Sequence, residues 1–228
     1  MNSDAAAGFD GQGTLNTEVE RGILFVISSP SGGGKGTLIR RVLSLDPRLG
    51  YSVSWTTRGP RVGEVEGVHY RFVSPDEFAS ARERGEFLEW AAVHDNYYGT
   101  SRTTVTRELS AGRDVILEID VQGAASIRHA NLEAVSVFIL PPSFEILRAR
   151  LTARSSETPD TLSLRLRNSR AEVEHYREFD YVLLNDNVER SAAQLAAIVS
   201  AERARRPRQE RLARRVLATF PAPTTEAL

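Results

Sequence analysis

Four short runs, residues 23–27, 115–119, 135–140 and 181–184, are apolar almost throughout and rich in β-branched side chains. A strand with one wet face alternates apolar and polar residues, whereas runs of this kind suit strands covered on both faces. Each is followed by a segment of helical length, at 35–45, 121–129, 144–153 and 188–203. That alternation predicts a parallel sheet joined by crossover helices. Residues 51–98 break the rhythm. They hold strand-like pieces at 69–73 and 87–93 around a helix that starts at Ser74-Pro75-Asp76-Glu77, with an N-cap hydroxyl, a proline at the first helical position and a glutamate closing a capping box. The expected fold is α/β, a parallel sheet core with an inserted lobe of mixed structure.

A chain of 228 residues is long enough for one domain with such an insertion. Its 41% hydrophobic and 26% charged residues exclude disorder as the whole answer. With 29 Lys and Arg against 30 Asp and Glu the net charge is -1, so no overall basic field favours nucleic acid or an anionic membrane as partner. The absence of cysteine excludes disulfides, thiolate metal sites and a cysteine nucleophile. His69, His94, His129 and His175 have no metal-ligand spacing, and no G-x-S-x-G elbow is present. No apolar run approaches the ~18 residues of a membrane span, and the first 20 residues carry four acids and no Lys or Arg; a cytoplasmic protein is expected. Residues 1–20, small and polar, read as a disordered tail. Residues 203–228 read as a basic helix end and tail, because seven arginines and one glutamate fall between 203 and 215, interrupted by Pro207.

The first apolar run leads into Ser29-Pro30-Ser31-Gly32-Gly33-Gly34-Lys35-Gly36-Thr37 and then a helix. Consecutive glycines permit positive-φ turns that aim backbone N–H groups inward, the helix N-terminus adds positive potential, and Lys35 supplies a charge for terminal phosphates. Of the 29 basic residues all but Lys35 are arginine. The exception sits where a compact ammonium fits inside a ring of amides and a planar guanidinium does not. The loop departs from the G-x-x-x-x-G-K-[ST] pattern at two places: Ser29 stands for the first glycine, and Gly36 stands where a Mg²⁺-binding hydroxyl is usual. Three outcomes follow for the metal. Thr37 substitutes, a water fills the place, or metal binding is weak.

In the inserted region, Ser54-Trp55-Thr56-Thr57-Arg58-Gly59-Pro60-Arg61 puts two arginines three apart in a segment unsuited to a regular helix, followed by Gly63-Glu64, Gly67 and Tyr70. Forked donors with phenol hydroxyls nearby suit a monophosphate. Together with Asn96-Tyr97-Tyr98-Gly99-Thr100, the block Glu118-Ile119-Asp120-Val121-Gln122-Gly123, and Asn185-Asp186, these segments resemble the guanylate kinase family over residues 22–202 in order. The resemblance implies the P-loop nucleoside monophosphate kinase fold, within a domain at 21–202, with a GMP-binding lobe near 54–105 and a helical lid near 148–170.

It also implies roles. Arg58, Arg61, Tyr70 and Tyr98 match positions that hold the phosphate of GMP; Ser54, Glu89, Thr100 and Glu118 match those around guanine, Glu118 replacing a more usual aspartate. Guanine offers N1–H and N2–H₂ as donors and O6 as acceptor, so carboxylates and hydroxyls suit its edge, and adenine would leave the carboxylates unsatisfied. Asp120 matches a position that orders Mg²⁺ or its waters, Arg154 and Arg165 match lid arginines, and Asn185 matches a position near the adenine of ATP. Arg154-Ser155-Ser156-Glu157-Thr158 replaces an expected Arg-Gly-Thr-Glu-Thr. The implied activity is direct in-line transfer of the γ-phosphoryl group of ATP to GMP, assisted by Mg²⁺, Lys35 and the arginines. The rival readings are a non-catalytic interaction domain of the same fold, which the intact Lys35 loop disfavours, and a kinase for another monophosphate.

Overall fold

The computed structural model describes residues 20–93, 95–153 and 159–221, without the side chains of 159–161. Among the described residues, nine strands form two sheets and eight α-helices are present; the strands are β1 (Leu24–Ser28), β2 (Leu49–Tyr51), β3 (Trp55–Thr56), β4 (Arg71–Phe72), β5 (Phe87–Val93), β6 (Asn96–Ser101), β7 (Asp114–Glu118), β8 (Val135–Leu140) and β9 (Tyr181–Leu184). The α-helices are α1 (Lys35–Leu45), α2 (Pro75–Glu83), α3 (Arg102–Ser110), α4 (Val121–His129), α5 (Phe144–Thr152), α6 (Pro159–Glu174), α7 (Val188–Arg203) and α8 (Arg206–Leu217). The large sheet has the order β2-β7-β1-β8-β9 and is parallel throughout, as the unbroken apolar runs predict.

Alternation along β1 explains why both faces are covered. Phe25 and Ile27 pack with Leu38, Ile39 and Val42 of α1 and with Leu195 and Val199 of α7. Leu24 and Val26 point to the opposite face, against Leu109 of α3 and Ile127 of α4. The inserted lobe carries the second sheet, β4-β3-β6-β5, in which β3 and β4 are parallel and the other pairs antiparallel. Its small core joins Phe78, Ala81 and Phe87. The N-cap forms as read, Ser74 Oγ accepting from the Glu77 N–H with Pro75 in the first turn, while Glu77 Oε1 accepts from Arg71 Nη2 at 3.0 Å.

The differences lie where tertiary pairing overrides local pattern. The two- and three-residue strands β2, β3 and β4 carry too little sequence for periodicity to mark them. Residues 69–73 shorten to β4, and Asn96-Tyr97-Tyr98-Gly99-Thr100 becomes β6 because it pairs with β5. The basic run at 203–215 is not one helix end. α7 stops at Arg203, and Pro207 lies in the first turn of the separate α8, a position where its missing N–H costs nothing. The lid region at 148–170 falls on α5 and α6, with 154–158 outside the described residues. The tail at 1–19 is likewise outside them. α1 and α4 both begin just beyond the C-terminal ends of β1 and β7, where parallel sheets open a crevice for ligands.

Candidate active site

The loop between β1 and α1 takes its shape from two positive-φ glycines, Gly32 (φ 84°) and Gly34 (φ 87°). A Cβ at Gly34 would lie 2.4 Å from Asn185 Nδ2, so no other residue fits there. The loop is braced from behind. Asn185 Nδ2 donates to the Gly33 carbonyl at 2.9 Å, and Arg150 of α5 donates to that carbonyl at 3.3 Å and to Asn185 O at 3.1 Å. Glu172 Oε2 accepts the Ser31 N–H at 2.9 Å. Lys35 Nζ donates to the Ile119 carbonyl at 2.9 Å, which ties the end of β7 to the loop. The first-turn N–H groups of α1 have no helical partners by geometry, and that turn carries no acidic residue. The loop is therefore preset for anions.

In front of it lies a cleft of about 250 Å³. Its walls are loop residues 29–36, then Ser54, Arg61, Tyr70, Glu89 and Tyr98 from the inserted lobe, Glu118 at the end of β7 and Asp120 just after it, and Arg165 with Glu172 from α6. Residues up to 143 positions apart in the chain thus meet at one place. Four expected site residues stand off its surface. Thr37 is exposed and its Oγ1 accepts from Arg40 Nη2 at 3.4 Å. Thr100 is fully buried behind Glu89. Arg58 is held from the side, as described below, and Asn185 is buried beneath the loop with its amide directed at Gly33. Arg154 lies outside the described residues.

Glu89 is the most perturbed acid in the cleft. It is 6% exposed, and Thr100 Oγ1 donates to its Oε1 at 2.6 Å. Burial raises its pKa to about 7, the Thr100 hydrogen bond opposing the shift and the Asp120 charge adding to it. Asp120 caps α4, its Oδ1 accepting the Gly123 N–H at 2.8 Å. A Cβ on Gly123 would come within 2.6 Å of Glu89 Oε2, so the glycine lets the two carboxylates approach one another.

Glu118 lines the same cleft. Its Oε1 lies 3.3 Å from where a Cβ on Gly36 would stand, and its Oε2 accepts from Tyr51 OH at 3.2 Å. The family resemblance assigns Glu118 to the base and Asp120 to the metal; in the fold both line the cleft, Glu118 beside Gly36 and Tyr51, and Asp120 beside Glu89 and one residue after Ile119, whose carbonyl accepts from Lys35. β7 ends at Glu118, and Asp120 is already the N-cap of α4, so the two carboxylates are positioned by different elements.

Arg58 forms a two-pronged pair with Glu64, Nη1 to Oε2 at 3.0 Å and Nη2 to Oε1 at 2.9 Å, both side chains mostly buried. Its Nε also donates to Tyr98 OH at 3.3 Å, and its guanidinium lies 5.3 Å from the Tyr70 ring centroid. These partners raise the Arg58 pKa against the cost of burial. Burial, with Glu118 second, pushes the Tyr70 phenol up to about 12, so it stays a donor. Glu64 Oε2 also accepts the Arg61 N–H at 2.8 Å, fixing both arginines of the segment through one carboxylate.

Arg150, Glu172 and Tyr51 were not singled out by motif. Only Glu172 left a signal: it stands seven positions after Arg165, two helical turns on the same face.

A family model described as guanylate kinase matches residues 21–202. The chain is 48% identical to a guanylate kinase of Rhizobium meliloti over 83% of its own length and 87% of that protein. It is 49% identical to a guanylate kinase of Idiomarina loihiensis, over 83% and 91% respectively. The crystal structure of guanylate kinase from Anaplasma phagocytophilum superposes with a TM-score of 0.73 at 33% identity, covering 89% of this chain and 97% of that one.

Proposed function

The chain belongs to the guanylate kinase family and phosphorylates GMP at the expense of ATP, and from that premise we propose how its residues divide the work. The observation that carries the reading is the meeting of Glu89, Thr100 and Asp120 around Gly123, in the wall of the same cleft as the phosphate loop. Two carboxylates side by side suit the adjacent N1–H and N2–H₂ donors of guanine, and Ser54 is a hydroxyl partner for O6. Asp120 takes the base-facing role and Glu118 does not. Arg58, Arg61, Tyr70 and Tyr98 hold the phosphate of GMP, with Glu64 presetting the Arg58 fork.

At the phosphate loop, the N–H groups opening α1 and the Lys35 ammonium bind the triphosphate, and Asn185 works as a brace of the loop. Arg165 reaches the cleft from α6, and the resemblance gives Arg154 the same task. The acceptor is already a phosphate oxygen, so transfer needs no strong base; it needs alignment and neutralisation. Mg²⁺, when bound, neutralises the terminal phosphates. A donor set fits it: the Glu118 carboxylate reaches beside Gly36, the place of the usual hydroxyl, and Thr37 is turned to solvent. Glu118 would help to hold the ion beside Gly36, in place of the usual hydroxyl. The cysteine-free sequence and nucleotide substrates support a cytoplasmic place of action.

The test is coupled ADP release with GMP, AMP, CMP and UMP as acceptors. GMP should exceed the others by about 100-fold or more in kcat/KM. Comparable use of AMP would refute the base-site assignment.

A further inference from the structure

Resting on that reading, we propose that Glu172 is a positioning residue: it ties the lid helix α6 to the phosphate loop and thereby sets where Arg165 meets the transferred phosphoryl group. Glu172 puts a carboxylate into the cleft wall on the lid side, where like charge works against a bound triphosphate. Glu172 is nevertheless committed to the loop itself, its Oε2 accepting the Ser31 N–H at 2.9 Å across 141 residues of sequence.

Ser31 stands ahead of Gly32 and Gly34, away from the amides that open α1. Its N–H is thus consumed by Glu172 and is not a phosphate donor. The phosphates take the amides nearer Lys35. Residues seven apart in a helix lie about two turns, or roughly 10 Å, apart along one face. Arg165 and Glu172 therefore point to the cleft together, as both do. With Glu172 fastened to the loop, the arc through which Arg165 can move is short, and its charge is delivered in register with Lys35. Catalysis by preset charges depends on this kind of constraint.

The experiment is steady-state kinetics and thermal melting of Glu172→Ala, Glu172→Gln, Arg165→Met and Glu172→Ala/Arg165→Met in the full chain. Glu172→Ala should lower kcat about tenfold while leaving the GMP KM within about twofold. Glu172→Gln, whose amide oxygen still accepts the Ser31 N–H, should recover most of that loss. The double variant should be no slower than Arg165→Met alone, because the Glu172 effect travels through Arg165. Multiplicative losses in the double variant, or a Gln variant as slow as the Ala variant with an unchanged melting temperature, would overturn the proposal. GMP-dependent ADP release by the unaltered protein is measured alongside, so failure of the functional reading is distinguishable from failure of the coupling.

Discussion

Thr100 Oγ1 donates to Glu89 Oε1 at 2.6 Å in the interior of the inserted lobe. The two residues face each other across the antiparallel β5–β6 pair, so the hydrogen bond is built into the strand register. It commits one oxygen of the carboxylate and leaves the other, Oε2, beside Gly123 and Asp120. A carboxylate turned this way is aimed before any ligand arrives.

Glu89 should make both stability and GMP binding depend on pH around neutrality. Its pKa is raised from 4.5 to about 7, so the folded state holds a proton that the unfolded state has released. Stability contributed here is full below about pH 4.5 and is lost as pH rises toward 7. Glu89→Gln should therefore melt higher than the unaltered protein at pH 8 and equally at pH 4, by differential scanning calorimetry. The same variant should raise the GMP KM about tenfold and leave that of ATP nearly unchanged. Equal effects on both substrates would make Glu89 a structural residue.

Glu64→Gln should weaken GMP binding without touching GMP directly. The neutral amide cannot sustain the charged two-pronged pair, and Arg58 and the Arg61 backbone lose a common anchor. A GMP KM raised about three- to tenfold, with kcat changed less, is expected from steady-state kinetics.

Lys35→Arg keeps the charge and should lose activity by about 100-fold or more, with the fold intact by circular dichroism. The ammonium sits inside the loop within 2.9 Å of the Ile119 carbonyl, and a planar fork fills that space differently. Near-normal turnover would mean that any cation suffices.

Metal affinity should follow Glu118 and not Thr37. Electron paramagnetic resonance of Mn²⁺ with ADP and protein reads binding directly, without turnover. Glu118→Gln should weaken the Mn²⁺ complex about tenfold and Thr37→Val should move it less than twofold. A large loss in Thr37→Val would instead place the ligand one residue further along α1.

Much of this protein is readable along the chain because the physics involved is local. Apolar runs covered on both faces dictate β1, β7 and β8; a hydroxyl, a proline and a glutamate in four residues dictate the start of α2; Gly32, Gly34 and Lys35 dictate the loop, since positive φ and a compact cation leave few alternatives. The partnerships across the cleft are of another kind. Glu172 with Ser31, Glu118 with Gly36, and Asp120 with Glu89 join residues that no spacing rule connects. Which way Glu118 and Asp120 point depends on β7 stopping between them. Where a strand stops is set by the neighbours with which it can exchange hydrogen bonds, and those neighbours, β2 and β1, come from distant parts of the chain. The direction of a carboxylate in the cleft is therefore a property of the assembled sheet.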